Sequence, residues 1–73
     1  MTAEELKKIV FGKPFRAVRI TLHAGDPIVV RHPECIAMSG SWVSVIPEPG
    51  PPIFFEVHQV VSVQYLKNGR ARR

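Results

Sequence analysis

The stretch VRITLHAGDPIVV, residues 18–30, decides the fold of this chain. Apolar and polar side chains alternate over 18–22, and Ile28 and Val30 then alternate with Val29 and Arg31, a pattern typical of half-buried strands. Between them, the turn formers AGDP at 24–27 reverse the chain. The stretch therefore predicts an antiparallel hairpin with one apolar face.

The register of this hairpin follows from the positions of its apolar residues. A two-residue loop would place Ile20 opposite Arg31, on the same face of the sheet. A three- or five-residue loop pairs Ile20 or Leu22 with Val30 and keeps the apolar faces together. We therefore expect an odd loop or a β-bulge at this turn.

Upstream of the hairpin, residues 3–11 predict one short helix. Thr2 followed by Glu5 is a capping box, in which each side chain bonds to a free backbone N–H. Apolar residues then recur at helical spacing, Gly12 suits a helix end, and Pro14 prevents continuation. Because so short a helix is unstable alone, we expect it to pack on the strands.

Downstream of the hairpin, short apolar segments alternate with turn formers. We expect strands over 35–38, 42–46, 53–57 and 61–65. In the last strand, Val61, Val63 and Tyr65 fall on one face. The proline-rich stretch PEPGPP at 47–52 predicts a stiff polyproline-like loop.

One short helix followed by five to six strands predicts a mainly β fold, a small SH3-like or Sm-like antiparallel barrel. A flat open sheet would leave its edges and one apolar face uncovered. We assign residues 1–66 to this single domain and residues 67–73 to a basic flexible tail.

Composition excludes several classes of protein. A single cysteine permits no internal disulfide, which favours the cytoplasm. The longest uncharged stretch, 35–47, is too short for a transmembrane helix, and residues 1–5 lack the apolar run of a signal peptide. We expect a cytoplasmic protein without membrane contact.

The net charge of +4 resides in the tail. Residues 1–66 hold six basic and six acidic side chains, so the domain itself is neutral. Arg19 and Arg31 lie on the outward parity of neighbouring strands and are candidates for nucleic-acid contacts. The tail adds four more candidates, which are Lys67, Arg70, Arg72 and Arg73.

Four segments resemble a family of small bacterial proteins. They are KPFR at 13–16, ITLHAGD at 20–26, VRHPE at 30–34 and FEVHQVVSV at 55–63. Members of that family have a similar pattern, which consists of a leading helix, a Pro-Phe element, an Asp-Gly turn and a His-Pro-Glu corner. The resemblance covers roughly residues 4–65 and implies no activity, because the family has no assigned function.

His32, Glu34 and Cys35 form the densest group of potential metal ligands, which His23, Asp26 and His58 would have to complete. No paired-cysteine or paired-histidine spacing supports a metal. A cysteine in an apolar run is typical of a buried thiol rather than a nucleophile. We expect no metal, no cofactor and no catalysis, with His32 donating a hydrogen bond to a backbone carbonyl at the corner.

Three aromatic residues remain for an interface: Trp42, Phe54 and Tyr65. Alternation along their strands predicts that Trp42 and Phe54 face away from the core. Exposed aromatic residues typically mark protein interfaces. The sequence predicts a non-enzymatic binding or assembly module that self-associates or binds a protein partner. The alternative is a nucleic-acid-binding accessory protein that uses the tail with Arg19 and Arg31.

Overall fold

The computed structural model of this chain describes residues 1–47 and 50–66. In chain order, the elements are α1 (Ala3–Val10), β1 (Val18–Leu22), β2 (Ile28–Val30), β3 (Ile36–Ser39), β4 (Trp42–Val45), β5 (Ile53–Glu56) and β6 (Val60–Tyr65). Two 3₁₀ turns, Pro33–Cys35 and Val57–Gln59, follow β2 and β5. The expected mainly β fold with one short helix is confirmed. The predicted tail lies outside the described residues.

The strands form two three-stranded antiparallel sheets. Sheet A has the order β2-β1-β6, and sheet B has the order β3-β4-β5. Each sheet passes the chain to the other through a 3₁₀ turn, from β2 to β3 and from β5 to β6. Within the described ranges, the hydrogen-bonded ladders do not join the two sheets into a closed barrel.

Both sheets and the helix contribute to one hydrophobic core. The two buried residues of α1, Leu6 and Val10, lie on the same helix face and belong to this core, as its short length requires. The strand and turn residues of the core are Val18, Ile20, Ile28, Val30, Ile36, Val43, Val45, Phe55, Val57 and Val60. Among the described residues, no polar or charged side chain is buried.

The predicted capping box forms at the start of α1. The Thr2 hydroxyl accepts from the Glu5 N–H at 3.1 Å, and the Thr2 N–H donates to the Glu5 carboxylate at 2.9 Å. That bond from the Thr2 backbone lowers the pKa of Glu5 below its usual value. The helix ends one residue earlier than expected, with Phe11 as its C-cap. No helix in the described part of the chain is long and apolar enough to cross a membrane.

The β1–β2 hairpin keeps the apolar residues of its two strands on one face, as expected, but the residues pair in a different register. Ile20 pairs with Ile28 and Val18 with Val30, so the expected pairing of Val30 with Ile20 or Leu22 is wrong. The residues left between Ile20 and Ile28 are odd in number, as the apolar faces require. The reason for the longer loop is local, because proline at 27 has no N–H to donate to a ladder.

A β-bulge in β6 overturns the predicted face of Val61. Thr21 pairs with Ser62 and Leu22 with Val60, which leaves Val61 as the extra residue. Val60 is therefore buried at 6% exposure, whereas Val61 is 57% exposed. Val63 and Tyr65, which follow the bulge, pair with the inward-facing residues of β1.

Candidate functional site

The outer face of sheet B carries two exposed aromatic residues. Val43 pairs with Phe55 and both are buried, so alternation along β4 and β5 turns Trp42 and Phe54 away from the core. Trp42 is 56% exposed and Phe54 is 72% exposed. Since Phe54 pairs with Ser44, two residues along β4 from Trp42, the two rings are diagonal neighbours on one face.

A tight turn fixes which residues surround Trp42. Gly40 and Ser41 form a two-residue loop between β3 and β4, and Gly40 has a φ of 58°, a left-handed conformation that glycine adopts without strain. This turn pairs Ser39 with Trp42 and Ala37 with Ser44. Small side chains therefore occupy the face beside the tryptophan.

The small residues form the floor of a shallow open depression. Its volume is about 180 Å³, and Trp42 and Phe54 both line it. We name this surface the aromatic face, and define it by Ala37, Ser39, Trp42, Ser44, Phe54 and Glu56. Aromatic walls over a floor of small side chains offer contact area to a partner's side chains without requiring the backbone to move.

Glu56 is the only charged residue of the three strands of sheet B. It pairs with Trp42 and is half-buried, so it lies beside the tryptophan and next to the residues that line the depression. The Ser41 hydroxyl donates to this carboxylate at 3.4 Å. The Glu56 N–H donates to the Gln59 side-chain oxygen at 2.9 Å, which anchors the residue at the end of β5.

The third predicted interface residue, Tyr65, lies elsewhere. It pairs with Val18 in sheet A, and the guanidinium carbon of Arg16 is 4.1 Å from the centre of its ring. This is a cation–π contact within one chain. The structure therefore brings Trp42 and Phe54 together and separates Tyr65 from them.

Arg19 lies on the outer face of sheet A, and Arg31 lies just beyond the end of β2. Arg19 pairs with Val29 and with Gln64, and Arg31, which follows β2 directly, lines the same cleft as Val29. Both arginines are exposed. We name this surface the arginine face, and define it by Arg19, Thr21, Val29, Arg31, Ser62 and Gln64. The other predicted nucleic-acid contacts, Lys67, Arg70, Arg72 and Arg73, lie outside the described residues.

Arg31 also borders an open cleft at the edge of β2. The cleft has a volume of about 230 Å³ and lies between β2 and the segment that follows β4. Its lining residues are Pro27, Val29, Arg31, His32, Cys35, Ile46 and Pro47. Two of these, Arg31 and His32, bring nitrogen donors, so the cleft suits an anionic or carbonyl group better than a cation.

Main-chain bonds, rather than the His32 ring, hold the corner between the two sheets. The Cys35 N–H donates to the His32 carbonyl at 3.1 Å, and the Ile46 N–H donates to the Cys35 carbonyl at 2.8 Å. The His32 side chain is exposed and makes no capping bond, so its predicted role at the corner is wrong. Cys35 is half-buried and packs on the core. Among described residues, no three potential metal ligands come together.

Comparisons of the chain with models of protein families, with curated proteins and with solved structures find no match. The similarity to the family with the His-Pro-Glu corner therefore remains a resemblance of short segments.

Proposed function

We propose that this chain is a non-enzymatic binding and assembly module that self-associates through the aromatic face. The observation that carries the proposal is the exposure of Trp42 and Phe54, 56% and 72%, as neighbours on one sheet face. Removal of an aromatic ring from water is favourable, so a partner that covers these rings gains free energy of association. Burial of both rings in one contact would supply most of its free energy.

The position of the pair distinguishes it from other exposed apolar residues. Phe11, Ile46 and Val61 are also exposed, but Phe11 follows α1, Ile46 follows β4 and Val61 lies on β6. Single exposed apolar side chains are ordinary on protein surfaces. The aromatic face combines two large rings with a depression between them. Such a combination is typical of an interface centre.

The module is proposed to have the architecture of an SH3-like or Sm-like barrel. The support is the continuity of the chain from β2 into β3 and from β5 into β6, through one 3₁₀ turn each. The sheets are thereby connected along both sides of a shared core. A rigid core of this kind would hold Trp42 and Phe54 in place, which lowers the entropy lost on binding.

A binding role is favoured over catalysis by the character of the two depressions described above. Each is an open surface feature, and the described titratable groups beside them are not buried. Acid–base and nucleophilic catalysts usually need burial or close charged partners to shift a pKa towards neutrality. We therefore propose no enzymatic reaction for this chain.

The test is a sedimentation-equilibrium series on the unsubstituted chain and on the double variant Trp42→Ala, Phe54→Ala. We expect the unsubstituted chain to gain mass between about 10 μM and 1 mM, and the variant to remain at the monomer mass of 8.2 kDa. Because both side chains are exposed, the free energy of unfolding should change by about 0.5 kcal/mol or less.

Phe11→Ala is the matched control, because Phe11 is also an exposed aromatic residue, at 43%, but follows α1 and lies outside both sheets. It should associate like the unsubstituted chain. A monomeric unsubstituted chain throughout this range would contradict the proposal, as would a double variant that still associates.

Nucleic-acid binding is the second candidate function, and one observation favours it. Arg19 pairs with Val29, Arg31 lines a cleft with Val29, and both arginines are exposed beside a sheet whose described strand residues include no acidic one. Two guanidinium groups on one face can contact two phosphates of a nucleic-acid backbone. Two contacts alone give weak, salt-sensitive affinity, which is why we rank this candidate second.

A further inference from the structure

The two outer faces of the molecule carry different charge. On the arginine face, Arg19 and Arg31 lie among neutral strand residues. On the aromatic face, Glu56 is the only charged residue of the three strands. Both sheets bury their other face in the same core, so the two outer faces point away from it on different sides.

We propose that the aromatic face of one copy receives the arginine face of a second copy, so that the chain assembles head to tail. The proposal rests on the proposed function, because it identifies what covers Trp42 and Phe54. The occupant is chosen by charge complementarity, since Arg19 and Arg31 of the incoming copy meet a face whose one charge is negative.

The chemistry of the contact follows from the side chains on each face. A guanidinium group is planar and weakly hydrated, and it stacks on aromatic rings. Arg16 already lies in this way on Tyr65 within one chain, 4.1 Å from the ring centre. An arginine from a second copy would lie on Trp42 in the same manner. A neighbouring guanidinium N–H would donate to the Glu56 carboxylate, which forms a charge-assisted hydrogen bond.

A symmetric contact between two aromatic faces is less favourable. It would bring the Glu56 carboxylates of both copies into one interface, and the strands there supply no cation to compensate them. Removing two carboxylates from water without a cation to pair with them costs free energy, which opposes association. The head-to-tail contact instead pairs every charge on the aromatic face with an opposite one.

The size of the face sets the strength of the contact. Three strands of four residues span about 14 by 13 Å, which is small beside the roughly 800 Å² that each partner buries in a standard interface. The contact is therefore weak and concentration-dependent. Because its two sides differ, each added copy leaves one free face of each kind, and assembly continues until a ring closes.

Mixing two variants tests the head-to-tail arrangement. The aromatic-face variant is Trp42→Ala, Phe54→Ala, and the arginine-face variant is Arg19→Gln, Arg31→Gln. We expect each alone to remain at 8.2 kDa at about 1 mM. An equimolar mixture should form a complex of twice that mass and no larger species, because the complex has no functional face left at either end.

Lys7→Gln, Lys8→Gln is the matched control for charge, because it removes two cations from α1 instead of from sheet A. Glutamine is a good helix former, so α1 is retained. The control should associate like the unsubstituted chain. Association of the arginine-face variant on its own would overturn the head-to-tail proposal and leave the aromatic face as a symmetric interface. A mixture that stays monomeric, although the unsubstituted chain associates, would also overturn it.

A short single-stranded RNA, added to the unsubstituted chain at low and moderate salt, tests whether the arginine face binds nucleic acid instead of a second copy. Under the head-to-tail proposal, RNA leaves the mass of the assembly unchanged at moderate salt. The proposal would be overturned in favour of nucleic acid if RNA dissociated the assembly and bound with a steep salt dependence, and if that binding were lost in the arginine-face variant. If the unsubstituted chain never associates, the proposed function itself fails.

Discussion

Phe55→Ala is expected to remove a large part of the stability of this protein, whereas Phe54→Ala, one residue earlier, should remove almost none. Phe55 is 1% exposed and Phe54 is 72% exposed. Truncation of a buried phenylalanine costs about 3–5 kcal/mol. A domain of this size has a free energy of unfolding of roughly 4–11 kcal/mol, so the Phe55 variant would lose between about a quarter and all of it.

The pair of phenylalanine variants is a matched comparison, because the same atoms are removed from adjacent positions of β5. Urea denaturation followed by circular dichroism gives the free energy of unfolding of each. The melting temperature of the Phe55 variant should fall by on the order of 15 °C or more. Equal losses in both variants would mean that the pairing of Val43 with Phe55 is not the register of the β4–β5 ladder.

The second large effect is expected at the bulge in β6. Val60→Asp would place a carboxylate among core side chains, because Val60 is 6% exposed. An uncompensated buried charge costs about 3–5 kcal/mol, and the lost apolar contacts add to that. Val61→Asp, at a position 57% exposed, should change stability by about 0.5 kcal/mol or less.

The same denaturation measurement decides the outcome at the bulge. A strongly destabilised Val60 variant beside a near-neutral Val61 variant would establish that Val61 is the extra residue. The reverse order would mean that β6 follows the simple alternation, with Val61 in the core and no bulge. Each variant is thus the other's control.

The alternation of apolar residues predicted most of the strands, because burial on one face leaves a period of two. It failed at Val60 and Val61, where two identical side chains are adjacent and either can be the buried one. The choice depends on the 3₁₀ turn before β6 and on the His23 N–H, which donates to the Gln59 carbonyl at 2.9 Å. Such a contact between distant segments leaves no periodic signal.

The outward position of two of the three aromatic residues was predictable from the sequence, but their arrangement and the part of Glu56 were not. The parity of β4 and β5 indicated that Trp42 and Phe54 face outward, and the structure agrees. Their position as diagonal neighbours depends on the β4–β5 register, which a proline-rich loop does not reveal. The separation of Tyr65 follows from its place in the other sheet, and only the topology could show that.

The most direct test of the aromatic face as the association surface is a dilution series followed by amide and indole NMR shifts. The chain contains one tryptophan, so the indole N–H signal reports on Trp42 alone. We expect shifts that depend on concentration between about 10 μM and 1 mM, with Trp42, Ser44 and Phe54 among the residues that move and α1 unaffected. Signals on the aromatic face that stay constant over the whole range would contradict the account.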